Sequence, residues 1–242
     1  MALLVDGGLT TVAALKEHDT GVLETAAGEG IDLAGKLRLA ENEVRADVER
    51  FLARAGRGSI GQVAVSESMR LWHAWKTLEA VYRDAYFSQL NDRYGARWKH
   101  YKAMAAEQRH AVLEEGIGLV GQPLRRPGKP AVLVESGALG AGAYQVLASA
   151  VNALGEESAA SEAQMVVAGP GSAFRVTLDW LPDGATGWLV YAGTAESAAG
   201  LQTAGPLAPG EAFVLAAGPQ AGRPPVQGQA VREWVLRTRR LG

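Results

Sequence analysis

Histidines are the first residues to consider for chemistry, because imidazole binds metals and moves protons near neutral pH. The chain has four, at His18, His73, His100 and His110. No two of them lie four positions apart and no His-Glu-x-x-His occurs, so the usual zinc motif on one helix face is missing. The chain has no cysteine, which excludes thiol nucleophiles, disulfides and cysteine-bound metals. The sequence therefore predicts no metal site.

One glycine-rich segment partly fits a phosphate-binding loop. Gly30–Lys36 matches the first seven positions of that pattern, but Leu37 stands where the Ser or Thr that binds Mg²⁺ is required. A phosphate loop also follows a strand, whereas Leu23–Gly28 has a helical pattern. We interpret the segment as a turn before a long helix. The glycines of Gly137–Gly142 have the wrong spacing for a dinucleotide fingerprint, and a loop is expected there.

Nucleophile and carboxylate patterns are equally weak. No Gly-x-Ser-x-Gly elbow occurs. The carboxylate pairs Glu41 with Glu43 and Glu156 with Glu157 are typical of solvated surfaces. We therefore expect a protein that is not an enzyme and has no cofactor, with an enzyme of unrecognised site as an alternative.

Net charge and hydropathy argue against two further classes of protein, nucleic-acid binders and membrane-spanning proteins. The net charge is -2, which argues against a dedicated nucleic-acid binder, since such proteins usually carry a basic surplus. No apolar run approaches the ~18 residues of a membrane span, and the first residues lack the basic and apolar regions of a signal peptide.

The two halves of the chain differ in composition. All 10 prolines lie beyond residue 122, and residues 1–116 hold 32 charged residues against 18 in the remainder. A charged stretch without proline is typical of helices, and a Gly- and Pro-rich stretch with β-branched runs is typical of strands. The predicted fold class is α+β multidomain. We expect a helical bundle at 1–120, a linker at 121–130, a β-sandwich at 131–220 and a basic arm at 221–242.

Amphipathic spacing predicts the helices of the first half, because apolar residues three or four apart share one helix face. Ser66 is a candidate N-cap, and Gly56 supplies a stop. The predicted helices are Leu33–Ala55, Glu67–Leu90 and Tyr94–Glu115, with shorter ones near Thr11–Glu17 and Val22–Ala27.

Short β-prone runs separated by turn signals predict a sandwich in the second half. In Phe174–Trp180 the apolar and polar residues alternate, so one face of that strand is apolar. The predicted strands are Ala143–Asn152, Gln164–Ala168, Phe174–Trp180 and Gly187–Tyr191.

The tail, 223–242, has five arginines and one glutamate, a balance of +4. We expect an extended arm that docks on another protein; the alternative is a last strand or helix packed on its own domain. The candidate docking residues are Arg232, Trp234, Arg237, Arg239 and Arg240.

Large aromatic residues crowd into Trp72–Tyr101. A bundle of this size buries only some of them, and aromatic residues left at a surface often mark subunit contacts. The candidates for a subunit interface are Trp72, Tyr82, Tyr86, Tyr94 and Trp98.

These residues resemble a known family. Leu71–Tyr86, followed by Ser88–Tyr94 and Trp98–Tyr101, is similar to the helical region of tailed-phage head–tail adaptor (connector) proteins, and Gly30–Ala40 resembles the preceding helix. The likeness covers roughly residues 10–120.

The second half resembles a fibronectin type III or Ig-like sandwich. Tyr144–Gly155 is similar to the late strands of that fold, and Val176–Trp180 and Gly187–Tyr191 to its early strands. The order is reversed relative to the usual module, as in a permuted or divergent sandwich.

The resemblance implies a virion protein at the neck, the head–tail junction, made in the host cytoplasm. Adaptors form rings, usually of twelve copies, between portal and tail, and extend the channel through which DNA slides without specific binding. Its partners would be the portal, tail or stopper proteins and copies of itself, with the arm docked on the portal. The alternative is a tail or surface module that presents the Ig-like domain to a glycan or protein receptor; exposed aromatic residues near Trp180 and Trp188 would favour it.

Overall fold

The structure is a computed structural model that describes residues 2–89, 92–226 and 228–237. Helices fill the first half and antiparallel sheets the second, so the fold is α+β. The helices are α1 (Val12–His18), α2 (Val22–Gly28), α3 (Leu33–Ala55), α4 (Glu67–Gln89) and α5 (Asp92–Glu115). The strands are β1 (Ile117–Val120), β2 (Ala131–Leu139), β3 (Gly142–Asn152), β4 (Gln164–Ala168), β5 (Ser172–Thr177), β6 (Ala185–Gly193), β7 (Gly200–Leu201), β8 (Phe213–Leu215) and β9 (Val231–Val235).

The chain divides into two units. The helical unit contains Gly7–Leu119 and the segment from Val231 onward. The β unit contains the first residues, up to Asp6, and Val120–Ala230. The boundaries therefore differ from the expected ones at both ends, because the first residues join the β unit and the segment expected as one arm is shared between the two units.

Capping residues set the helix ends, and the helix predictions are confirmed over the described residues. Gly56 ends α3 in the left-handed conformation, with φ of 63°. The Ser66 hydroxyl accepts a hydrogen bond from the Met69 amide at 3.2 Å in the first turn of α4. The Thr11 hydroxyl accepts one from the Ala14 amide at 3.1 Å at the start of α1. Each satisfies a backbone group that the helix leaves without a partner.

The core of the helical unit is aromatic. Helices α4 and α5 run antiparallel, so that Tyr82 stacks on Tyr101 with ring centres 5.4 Å apart, and Trp75 lies 5.9 Å from the Tyr101 ring. Helix α3 packs against α4, where the carbonyl oxygen of Leu37 lies 2.9 Å from His73 Nε2. The buried members of this core are Leu15, Val22, Ala74, Leu78, Val81, Tyr82, Ala85, Tyr94 and Tyr101.

The β unit holds two antiparallel sheets. One has three strands in the order β2-β5-β8 and the other has four in the order β4-β3-β6-β7. A single core cluster contains Phe174 and Val176 from the first sheet and Val146, Trp188 and Val190 from the second. Alternate residues of β3 and β6 form a second cluster on the other face of the four-stranded sheet. Both faces of those strands are therefore buried.

The loop predicted at Gly137–Gly142 and the predicted end of one strand need correction. The segment Gly137–Gly142, expected as a loop, contains the end of β2 and the start of β3, so only its middle is a turn. A Cβ on Gly137 would lie 2.6 Å from the backbone oxygen of Ser172, which explains why this strand position is glycine. Strand β5 ends at Thr177, three residues earlier than expected.

The C-terminal segment is a strand. Strand β9 pairs with β1 in a two-stranded sheet, and Val235 is buried. Arg237 donates to a Glu114 carboxylate oxygen at 2.9 Å, and Arg57 donates to Glu233 at 3.3 Å. Val231–Val235 of the tail is therefore a last strand and not an extended arm, because it pairs with β1 and its ion pairs find partners within the helical unit.

Candidate functional site

An open groove of about 610 Å³ lies at one end of the helical unit. The turn between α2 and α3 forms one wall and the last turn of α4 forms the other. Gly30, with φ of 65°, allows that turn, and Gly35 leaves room for the Asp32 carboxylate, since a Cβ there would lie 2.5 Å from it. The lining residues are Glu29, Gly30, Ile31, Asp32, Gly35, Lys36, Asp84, Phe87 and Ser88.

The charged residues that line the groove are mostly acidic, three carboxylates against one ammonium group. Lys36 and Asp84 form a short ion pair across it. Glu29 accepts hydrogen bonds from the Tyr94 hydroxyl at 3.0 Å and the Ser88 hydroxyl at 3.1 Å, and the bond to Glu29 raises the pKa of Tyr94. The surface suits a basic partner better than an anionic one.

An aromatic cluster borders the groove. Phe87 lies 5.1 Å from the Tyr86 ring and 5.4 Å from the Trp98 ring, and Tyr86 stacks on Trp98 at 5.5 Å. Phe87 is 55% exposed, and it is also a groove residue. The Lys102 ammonium lies 5.7 Å from the Trp98 ring centre. We call Tyr86, Phe87 and Trp98 the aromatic rim.

A partly buried hydrogen-bond network links the helices of this unit. The Asp19 carboxylate accepts from the hydroxyls of Tyr82 at 2.6 Å and Tyr101 at 2.8 Å, and from the Gly21 amide at 2.9 Å. Burial raises the pKa of Asp19, but these hydrogen bonds and the charge of Arg97 outweigh it and hold the pKa below its usual value. The Asp19 carboxylate is therefore charged, and it ties the segment between α1 and α2 to α4 and α5.

The segment that partly fits a phosphate loop lines the groove, yet its surroundings do not suit phosphate. Helix α2 precedes it, as the sequence pattern predicted, rather than a strand. Lys36 is paired with Asp84, and Asp32 and Glu29 lie beside it. These carboxylates would repel a phosphate group.

The five aromatic interface candidates fall into two groups. Trp72, Tyr82 and Tyr94 are 2%, 0% and 6% exposed, so their side chains pack inside the helical unit and are not available to a second copy. Tyr86 and Trp98 are half-buried in the aromatic rim. Sequence reasoning missed Phe87, whose signal was its position outside the regular apolar stripe of α4.

The arm candidates lie on or after β9. Arg232 and Trp234 are exposed, Trp234 at 51%, and both point away from the side that buries Val235. Arg237 is also exposed and is bound to Glu114. Arg239 and Arg240 lie outside the described residues.

The β unit has a polar centre of its own. The buried Glu157 carboxylate accepts from Ser149 at 2.6 Å and Arg223 at 2.8 Å and forms a short bond with Tyr191. Of the two tryptophans considered for a receptor surface, Trp188 is fully buried and Trp180 is 48% exposed. They do not form an exposed pair.

Over residues 2–89, 92–226 and 228–237, no group of three or more His, Asp or Glu side chains could hold a metal ion. Among the described residues, no helix is both long and apolar enough to cross a membrane. Comparison of the chain with protein-family models, with curated proteins and with solved structures gives no match.

Proposed function

We propose that the chain is a structural virion protein, a head–tail adaptor that assembles with copies of itself into a ring between portal and tail. The observation that carries the proposal is the aromatic rim beside the acidic groove. Exposed aromatic side chains beside a charged groove are typical of protein–protein contacts. Phe87, at 55% exposure, is the anchor of this surface.

The portal contact lies on β9 in this proposal. Arg232 and Trp234 share the exposed face of that strand, and a basic surface with one large aromatic residue suits an acidic partner. The near-neutral net charge of -2 suits a channel through which DNA slides without binding.

For the β unit we propose a fibronectin type III or Ig-like sandwich. Two antiparallel sheets of three and four strands with a shared core support this. The segment that resembles an early strand in β6 lies next to the one that resembles the late strands in β3, because β3 pairs with β6, whereas the other early-strand segment, in β5, belongs to the three-stranded sheet. That pairing fits a permuted order of strands.

Cryo-electron microscopy of a purified particle tests the function directly, because the proposal requires a ring of this chain at the head–tail junction. A binding assay with portal protein tests the aromatic rim. We expect Phe87→Ser to prevent ring formation on the portal, whereas Leu154→Ser, at a position 54% exposed in the β unit, leaves it intact. Absence of the chain from the neck, or equal assembly of the two variants, would reject the proposal.

A further inference from the structure

The groove of the helical unit and the residues that follow Arg237 in the sequence carry opposite charge. The groove between α2, α3 and α4 has a balance of -2 over its lining residues, with exposed Phe87 at its edge. After Arg237 the sequence continues with Thr238-Arg-Arg-Leu-Gly242, two positive side chains followed by a leucine. A short basic and apolar segment is the kind of ligand that an acidic groove with an aromatic edge accommodates.

The ion pairs at the groove do not close it to a further cation. Arg38 lies 4.0 Å from Asp32, and their side chains are 78% and 71% exposed. Arg83 lies 3.5 Å from Asp84 and shares it with Lys36. The Arg38–Asp32 pair is exposed, and exposed pairs contribute about 0–1 kcal/mol, so a guanidinium group from another chain can compete for the Asp32 carboxylate.

The groove is out of reach of the tail of the same chain. The tail leaves β9 at the end of α5, where Arg237 binds Glu114, and the paired strand β1 accepts a hydrogen bond from Ala64 just before α4 begins. The groove lies at the other end of α4, from Asp84 onward, about 27 Å away at 1.5 Å per residue. The five residues beyond Arg237 extend at most about 18 Å. Only a second copy can supply the segment.

We infer that the C-terminal residues 238–242 of one copy bind in the acidic groove of a second copy. The basic pair Arg239 and Arg240 binds at the Asp32 carboxylate, and the apolar end of the segment packs on Phe87.

This contact joins two different surfaces, so each copy donates one segment and accepts another. Such contacts form rings when the rotation between copies closes, and open filaments when it does not. The inference rests on the proposed function, because it supplies the contact between copies that a ring needs. In this arrangement Arg239 and Arg240 contact the neighbouring copy, and Arg232 and Trp234 contact the portal.

Fluorescence anisotropy tests the contact with the full chain and a labelled peptide of residues 236–242. We expect saturable binding to the natural chain. Binding to Asp32→Arg and to Phe87→Ser should be at least about tenfold weaker, because the first removes the charge attraction and the second removes the apolar contact. Asp179→Arg, at an exposed carboxylate of the β unit, is the matched control and should bind normally. A peptide with glutamate in place of Arg239 and Arg240 should not bind.

The inference is overturned if the peptide does not bind, if its charge-reversed form binds equally, or if Asp32→Arg and Asp179→Arg behave alike.

A mixing experiment identifies the geometry of the contact. A chain ending at Arg237 cannot donate a segment, and the double variant Asp32→Arg with Phe87→Ser cannot accept one. Sedimentation velocity should show each alone as a monomer and their mixture as a 1:1 dimer, at concentrations above the dissociation constant of the peptide. A mixture that stays monomeric overturns the inference. The two proposals can fail separately: peptide binding without a ring at the neck rejects only the adaptor function, and a ring on particles of the chain ending at Arg237 rejects only this contact.

Discussion

Replacement of Asp19 by alanine tests whether one carboxylate holds the helical unit together. Asp19 accepts hydrogen bonds from two buried phenols, Tyr82 and Tyr101, and from the Gly21 amide. Alanine would leave both phenol hydroxyls without their acceptor. A buried polar group that loses its partner costs about 1–3 kcal/mol, and water can reach part of this half-buried site. We therefore expect the free energy of unfolding to fall by about 3 kcal/mol.

Urea unfolding followed by circular dichroism at 222 nm measures this loss, since the helical signal comes from the unit that contains Asp19. The matched background is Tyr82→Phe with Tyr101→Phe, in which the two hydroxyls are already absent. There, Asp19→Ala should cost less than about 1 kcal/mol, because only the Gly21 contact and the Arg97 charge remain. Equal losses in the two backgrounds, or a loss below about 1 kcal/mol in the natural chain, would refute this account of the network.

The pH dependence of the same variant supplies a second measurement. The pKa of Asp19 is lowered in the folded chain from its ordinary value of 3.8, despite burial, by the hydrogen bonds from Tyr82 and Tyr101. The unfolded chain therefore takes up this proton first as the pH falls. The stabilisation is complete well above the ordinary pKa and is lost as the pH falls through the lowered one. We expect the difference between the natural chain and Asp19→Ala to shrink below about pH 4.

Three further results are expected. Glu157→Ala should lower the free energy of unfolding of the β unit by about 3 kcal/mol in urea unfolding, because it leaves the Tyr191 hydroxyl without its acceptor and removes the ion pair of Arg223; a loss below about 1 kcal/mol would contradict this. Burial lowers the pKa of His73 from 6.5, so stability should fall as the pH drops from about 6.5 toward the lowered pKa, and His73→Phe should show a smaller fall between pH 7 and 5. Gly116→Ala should cost about 1–3 kcal/mol and expose β9 to limited proteolysis, because Gly116 has φ of 95° and its Cβ would lie 2.9 Å from the Val235 oxygen; an unchanged digestion pattern would count against this.

Local signals account for the parts of the fold that the sequence predicted well. Helix α3 has its predicted ends, because apolar spacing and the stop at Gly56 act within a few residues. Strand β4 also has its predicted ends, since its composition and flanking turns are local features. Strand β2 was missed because it is exposed along most of its length and its pairing depends on β5, more than thirty residues away.

The candidate site depends on contacts between distant residues, and the sequence predicted it only in part. Aromatic crowding in α4 and α5 was visible, but periodicity could not separate the buried Tyr82 from the exposed Phe87 of the same helix. The groove forms where the turn before α3 meets the end of α4, and no local pattern indicates such a meeting.

The sequence alone determined the class of each half, because proline, glycine, charge and hydrophobic period act on neighbouring residues. The tertiary structure decided which part of the tail forms a strand and which of the aromatic residues are buried. The alternation of side-chain types along 231–237 was compatible with an extended arm or with a strand. A strand forms because β1, more than a hundred residues earlier in the chain, pairs with it. Burial and strand pairing are properties of surfaces that meet in space, so they emerge only when distant segments pack together.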